Sequence, residues 1–295
     1  MTSSSVVNVR WGIICMMLAI FMYATVNAVV KDVMGSYPLM QIIFLRFSLA
    51  LIPCAFMIYQ SGGLHTLKTN NLKSHFFCGC MAVLNLTMLF TSFKQLPLAD
   101  ANAICFSTIF FVTLMSYPIL KERVGFHRWL AVILGFAGIL VMANPSGELF
   151  NYSALMCLIF AFGDGVLMIF ARLLSRTNHS STIVFYCSLF AASIALCFMP
   201  FVWITPSFTD FLKLAFLGVG AGTAQILLTY AYRYAQATQV APVIYTSILW
   251  STMYGYFIWG EVPSHEAMLG GLLIICAGLY LIYHETRAQS APAQD

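Results

Sequence analysis

Ser107–Pro145 reads STIFFVTLMSYPILKERVGFHRWLAVILGFAGILVMANP, and Trp259–Glu285 reads WGEVPSHEAMLGGLLIICAGLYLIYHE. Both place an acidic residue, Glu122 or Glu261, in a short polar turn beside a long apolar run that contains glycines. Setting Glu122 on Glu261 also sets Tyr117 on Tyr256, and the same spacing of 139 residues relates Phe21 to Phe160 and Lys94 to Arg233. After a one-residue insertion, Ala137-Gly138 matches Ala277-Gly278. The chain therefore repeats itself over much of its length.

What repeats is apolar. Of the 295 residues 61% are hydrophobic and 8% are charged, and the mean hydropathy is +0.87. Soluble domains carry roughly a quarter charged residues, so an ordinary water-soluble enzyme is excluded. A helix needs about 20 apolar residues to cross a bilayer. Ten such runs are legible, near 11–30, 39–60, 74–95, 98–120, 127–144, 149–170, 181–203, 209–231, 238–259 and 265–284. Turn chemistry separates them, as in Ser61-Gly62-Gly63, Asn144-Pro145-Ser146-Gly147 and Thr205-Pro206-Ser207. Trp11, Trp129, Trp203 and Trp259 stand near the ends of runs, where indoles suit the membrane interface. The length of the first run fits a retained span better than a signal peptide.

Ten spans put Arg10, Lys68, Lys73, Lys121, Arg123, Arg128, Arg172, Arg176, Arg233 and Arg287 on the side of the N-terminus. Only Lys31, Lys94 and Lys213 fall on the other side, with Arg46 inside a span. This bias predicts that both termini are cytoplasmic. The fold expected is an all-α membrane protein of ten transmembrane helices in two five-span repeats. Residues 1–146 form the first repeat, 147–287 the second, and 288–295 a short polar tail. Five is odd, so the second repeat is inverted with respect to the first, an arrangement typical of alternating-access transporters.

The quoted segments resemble the drug/metabolite transporter superfamily, in particular its EamA-type ten-helix group. Pro38–Phe47 (PLMQIIFLRF) is similar to that group's second helix with its arginine. The Gly-Glu-x-Pro turn at Gly260–Pro263 and the Gly-Leu-Tyr ending resemble the branch labelled S-adenosylmethionine or riboflavin transporters. Lys121 departs from the glycine common in relatives, and Asp164 adds an acid within the sixth span. The resemblance implies a multi-pass protein of the inner membrane that moves a small polar metabolite such as S-adenosylmethionine, an amino acid or a riboflavin-like heterocycle. An integral membrane enzyme acting on a lipid or isoprenoid is the alternative, and it requires clustered His, Asp or Glu at one face.

The residues expected to carry the chemistry are the polar ones inside apolar runs. Arg46 lies at roughly 10 Å depth in the second span, where a charge costs a few kcal/mol and marks a functional site by default. Its planar fork suits a carboxylate or phosphate. Asp164 is a candidate for coupling to a proton or for binding a cationic group, or else pairs with Arg172. Asn27, Asn85, Asn102 and Gln225 need hydrogen-bond partners in a dry span and so face a cavity or another helix. Tyr230, Tyr232, Tyr245, Trp250 and Tyr254 offer rings for a heterocycle or a cation, or else pack and anchor. Pro118 and Pro242 are the expected helix bends. The glycines at 135, 138, 270, 271 and 278 suggest close packing by spans five and ten, and with it a homodimer.

No cofactor or metal is expected. The six histidines lack the paired spacing of a helical metal site, and neither a G-x-S-x-G elbow nor a Walker loop occurs. The nine cysteines lie in apolar runs as small hydrophobes, and Cys78-x-Cys80 has no second ligand pair. A net charge of +4 without a basic block gives no support for nucleic acid. The partners expected are a small-molecule metabolite and the bilayer itself.

Overall fold

A computed structural model describes residues 9–120, 126–143, 152–235, 240, 243–263 and 265–290. Lys121, Glu122, the turn at 144–147 and Pro242 lie outside the described residues. Helices α1 (Val9–Val33), α2 (Leu39–Gln60), α3 (Leu72–Ser92), α4 (Leu98–Cys105), α5 (Thr108–Leu120) and α6 (Phe126–Ala143) make up the first half. The second half comprises α7 (Tyr152–Leu174), α8 (Ser180–Leu196), α9 (Met199–Val202), α10 (Phe208–Tyr234), α11 (Thr246–Trp259) and α12 (His265–Ser290). No strand occurs among the described residues.

Among the described residues six helical segments are long and apolar enough to cross a membrane, including the composite Leu98–Met115. The outward surfaces of the helices carry large apolar side chains, such as Phe257 at 75% and Phe201 at 85% exposure. A solvent of lipid accepts such a surface.

The packing partners come in matched sets. If α1, α2, α3, the pair α4–α5 and α6 correspond to α7, α8, α10, α11 and α12, the most extensive contacts have counterparts. Helix α1 packs on α10, and α7 packs on α3; α2 packs on α10, and α8 on α3. Helix α1 also touches α11 while α7 touches α4 and α5, and the pairs α2–α8 and α6–α12 exchange with themselves. At the centre of this exchange the rings of Phe106 and Tyr245, themselves 139 residues apart in sequence, pack at 4.9 Å.

Local chemistry explains where the helices stop. The Ser207 hydroxyl accepts the Asp210 N–H and caps the start of α10. Gly260 adopts φ +66°, a left-handed conformation that ends α11 and turns the chain so that Glu261 faces back into the bundle. The run 98–120 divides at Phe106-Ser107, whereas Pro118 sits within α5, which continues past it. The run 181–203 also divides, where Pro200 stands in the first turn of the short α9.

The glycines of α6 and α12 serve packing within the chain. A Cβ on Gly138 would lie 2.8 Å from the Gly270 carbonyl oxygen and 3.0 Å from Leu273. This close approach holds α6 against α12. Gly138→Val forces these helices apart and is expected to cost about 1–3 kcal/mol. The thermal midpoint of the purified protein in detergent is the measurement, and an unchanged midpoint contradicts this packing.

Candidate functional site

Three polar residues of the helices, Tyr23, Arg46 and Gln225, meet at a cavity of about 310 Å³ lined by α1, α2, α3, α7, α8 and α10. Its wall is mostly apolar, with Phe47, Met57, Leu167 and Met168 prominent, and its polar contributors include Tyr23, Arg46 and Gln225. A mainly apolar concavity with a few placed polar groups is the usual form of a small-molecule site.

Arg46 projects from α2 with its guanidinium carbon 5.6 Å from the Phe90 ring centroid and 5.9 Å from that of Phe47. Its Nε is buried and without a hydrogen-bond partner. Among the described residues no carboxylate pairs with it. Cation–π contacts offset part of the cost of the charge, yet the donor is left unsatisfied.

Tyr23 on α1 donates its hydroxyl to Gln225 Oε1 at 2.6 Å, tying α1 to α10 at the cavity wall. Its phenol lies within electrostatic reach of both Arg46 and Asp164. Asp164 is half-buried and stands one helical turn from Leu167 and Met168, on the face of α7 that lines the cavity. It faces the side chain of Thr108, whose Oγ1 is buried and does not meet hydrogen-bond geometry with any partner.

A second hollow of about 390 Å³ shares Ala171, Ile183, Val184 and Gln225 with the first. It continues past Ser175, Ser180, Thr229 and Tyr232 to Arg233, the arginine-rich end of the bundle. The opposite end is cross-linked by polar contacts. There the Lys31 ammonium pairs with Glu261, donates to the Leu96 carbonyl at 3.1 Å and lies 5.1 Å from the Trp259 ring centroid. The other oxygen of Glu261 accepts the Leu98 N–H at 3.0 Å, at the start of α4. Further links at this end join Gln41 to Ile204, Lys213 to Asp32 and Tyr37 to Asp210. The bond to Asp210 raises the Tyr37 phenol above its ordinary pKa.

Of the residues singled out in the sequence, Arg46 and Gln225 line the main cavity and Tyr232 lines the second hollow, while Asp164 lies outside both linings, one helical turn from Leu167 and Met168. The others stand elsewhere. Asn85 is buried against Gly163 of α7. Asn102 donates to the Ser251 hydroxyl across α4 and α11. Tyr230 bonds Gln60 and stacks on Tyr234 at 6.1 Å, and Tyr245 packs on Phe106 and against Gly278. Trp250 meets Phe21 edge-on at 5.0 Å, and Tyr254 bonds Thr25 at 2.7 Å. Asn27 is half-buried on α1, outside the cavity lining.

The sequence reading missed Tyr23 and the pairing of Lys31 with Glu261. Position 162, the repeat equivalent of Tyr23, is phenylalanine, so the internal symmetry did not point to the hydroxyl. Lys31 carried a signal, being one of the few bases that the ten-run reading of the sequence sets opposite the N-terminus.

Known proteins with these features are transporters. The chain is 28% identical to an S-adenosylmethionine uptake transporter of Rickettsia bellii (strain RML369-C) over 278 residues, covering 92% of this chain and 94% of the relative. It is 29% identical to the pseudopaline exporter CntI of Pseudomonas aeruginosa (strain UCBPP-PA14), covering 92% and 95%. A riboflavin transporter of Vibrio cholerae serotype O1 is 25% identical, with 94% of each chain covered. One crystal structure shares the fold at a TM-score of 0.66 and 17% identity, over 95% of this chain and 99% of the other. The EamA-like transporter family matches residues 10–144 and again 151–284. The apolar surface, the doubled sequence and these matches agree: the chain is a multi-pass membrane protein and belongs to the EamA-like transporter family.

Proposed function

We propose that the protein is a secondary active transporter of the inner membrane that moves a small polar organic metabolite by alternating access. The candidates are S-adenosylmethionine, an amino acid or a riboflavin-like heterocycle. The observation that carries this reading is the cavity around Arg46, a charge inside the bundle that has a free donor and no paired carboxylate among the described residues. An anionic group of the solute completes its coordination. Tyr23 and Gln225 hold the wall beside it, and the apolar lining takes the remainder of the solute.

In this reading the ten apolar runs are ten spans, divided as residues 1–146 and 147–287 with a tail at 288–295. Both termini are cytoplasmic, as the lysine and arginine count favours. The hollow running to Arg233 then faces the cytoplasm, and the Lys31–Glu261 contact closes the outer side. The two halves rock against each other to reverse this. Exchange of one solute for another, or a proton carried at Asp164, supplies the energy.

Side-specific labelling tests the reading. Ala171 lies where the two hollows meet. A cysteine there is expected to react with an impermeant thiol reagent from the cytoplasmic face of oriented vesicles, above the wild-type background. Transported solute is expected to raise its reaction from the outer face. Reaction from the outer face alone, unmoved by any candidate solute, contradicts this reading.

A further inference from the structure

We propose that the cavity selects a zwitterion: its anionic group sits on Arg46, its positive group on the Asp164 carboxylate, and Tyr23 lies between the two. This rests on the transport reading above and names the class of solute. Two opposite charges inside one bundle normally neutralise each other, because each alone costs several kcal/mol. Here they do not meet. Among the described residues neither forms an ion pair.

Tyr23 ties the two together, because its phenol lies within electrostatic reach of both. At 1.5 Å per residue from the helix ends nearest Lys31, Arg46 springs from about 10 Å depth, Tyr23 from about 15 Å and Asp164 from about 18 Å.

An unsatisfied donor marks the Arg46 end, where the buried Nε is free. At the other end the Asp164 carboxylate has only the Thr108 hydroxyl beside it and no cation among the described residues. A simple anion leaves Asp164 uncompensated, and a simple cation leaves Arg46 so. A molecule carrying both charges with an apolar remainder satisfies both ends and places that remainder against Met57, Leu167 and Met168.

The test is equilibrium binding to the purified full-length chain in nanodiscs. The probes are S-adenosylmethionine and the twenty standard amino acids, followed by the N-acylated and decarboxylated counterparts of the tightest-binding amino acid with an uncharged side chain. The wild type is expected to bind the zwitterion at least tenfold more tightly than its anion-only or cation-only counterpart. Asp164→Asn is expected to remove the advantage over the anion-only form, weakening the zwitterion and tightening the anion that the unpaired carboxylate disfavours. Arg46→Ala weakens both.

Equal binding of the three forms by the wild type, an undiminished preference in Asp164→Asn, or no binding of any probe overturns the zwitterion proposal. The wild-type comparison needs no variant to fold, and Asp164→Glu, which keeps the charge, is expected to retain the preference. If a solute with no positive group shows saturable flux in liposomes, the transport reading survives and the zwitterion does not. If Arg46→Ala leaves binding of every probe unchanged, the site itself is misplaced.

Discussion

Arg46→Ala is expected to abolish saturable solute flux without unfolding the protein. The variant removes a charge that has no ion-pair partner among the described residues, so the bundle loses no salt bridge and is relieved of part of the cost of an intramembrane cation. What it loses is a charge-assisted contact to the solute. Truncating one partner of such a buried pair costs about 2–5 kcal/mol, which corresponds to about 30-fold or more in affinity. Arg46→Lys keeps the charge but not the planar fork, and it is expected to fall between the two. Flux at the wild-type level in a folded Arg46→Ala protein assigns the residue to packing against Phe47 and Phe90 instead.

Glu261→Gln is expected to loosen the cross-linked end. Glu261 joins the turn after α11 to Lys31 of α1 and to the first N–H of α4, with side chains 21% and 10% exposed for Glu261 and Lys31. Glutamine still accepts from Leu98 but cannot pair with the ammonium, which is left half-buried beside Trp259. A loss of about 1–3 kcal/mol shifts a two-state equilibrium by about 5- to 150-fold. Ala101, fully buried one turn into α4, reports it. A cysteine at that position is expected to react faster with an impermeant thiol reagent from the Lys31 side in Glu261→Gln than in the parent. Lys31→Met should act alike, and the double variant should add little to either, because both break one contact. Unchanged labelling in both single variants removes the latch from the account.

Much of the fold was legible because lipid imposes one rule along the whole chain. The run read as 39–60 is the helix Leu39–Gln60, and the runs at 11–30 and 265–284 lie inside α1 and α12. The internal spacing of 139 residues reappears in the Phe106–Tyr245 contact, which no single-helix reading reveals. The break at Phe106-Ser107 was not legible, since nothing in that apolar stretch breaks a helix by itself, and the proline in view was Pro118.

The site was legible only in part. A guanidinium or an amide in an apolar run demands a partner, so Arg46 and Gln225 stood out. The same demand is met at Asn102 by Ser251 on another helix, and the sequence does not distinguish the two solutions. Tyr23 stayed hidden because a tyrosine in a span serves equally as a packing ring. Lys31 and Glu261 are 230 residues apart, and only the turn at Gly260 brings the carboxylate round.

The most direct test is counterflow. Purified wild-type protein is reconstituted into liposomes loaded with each candidate metabolite, and uptake of the same labelled solute is followed against empty liposomes and against Arg46→Ala. Saturable uptake of one candidate, driven by the internal pool and absent in the variant, is the result this account predicts. A folded wild-type protein that moves none of the candidates, or one that moves a candidate equally well without Arg46, contradicts it.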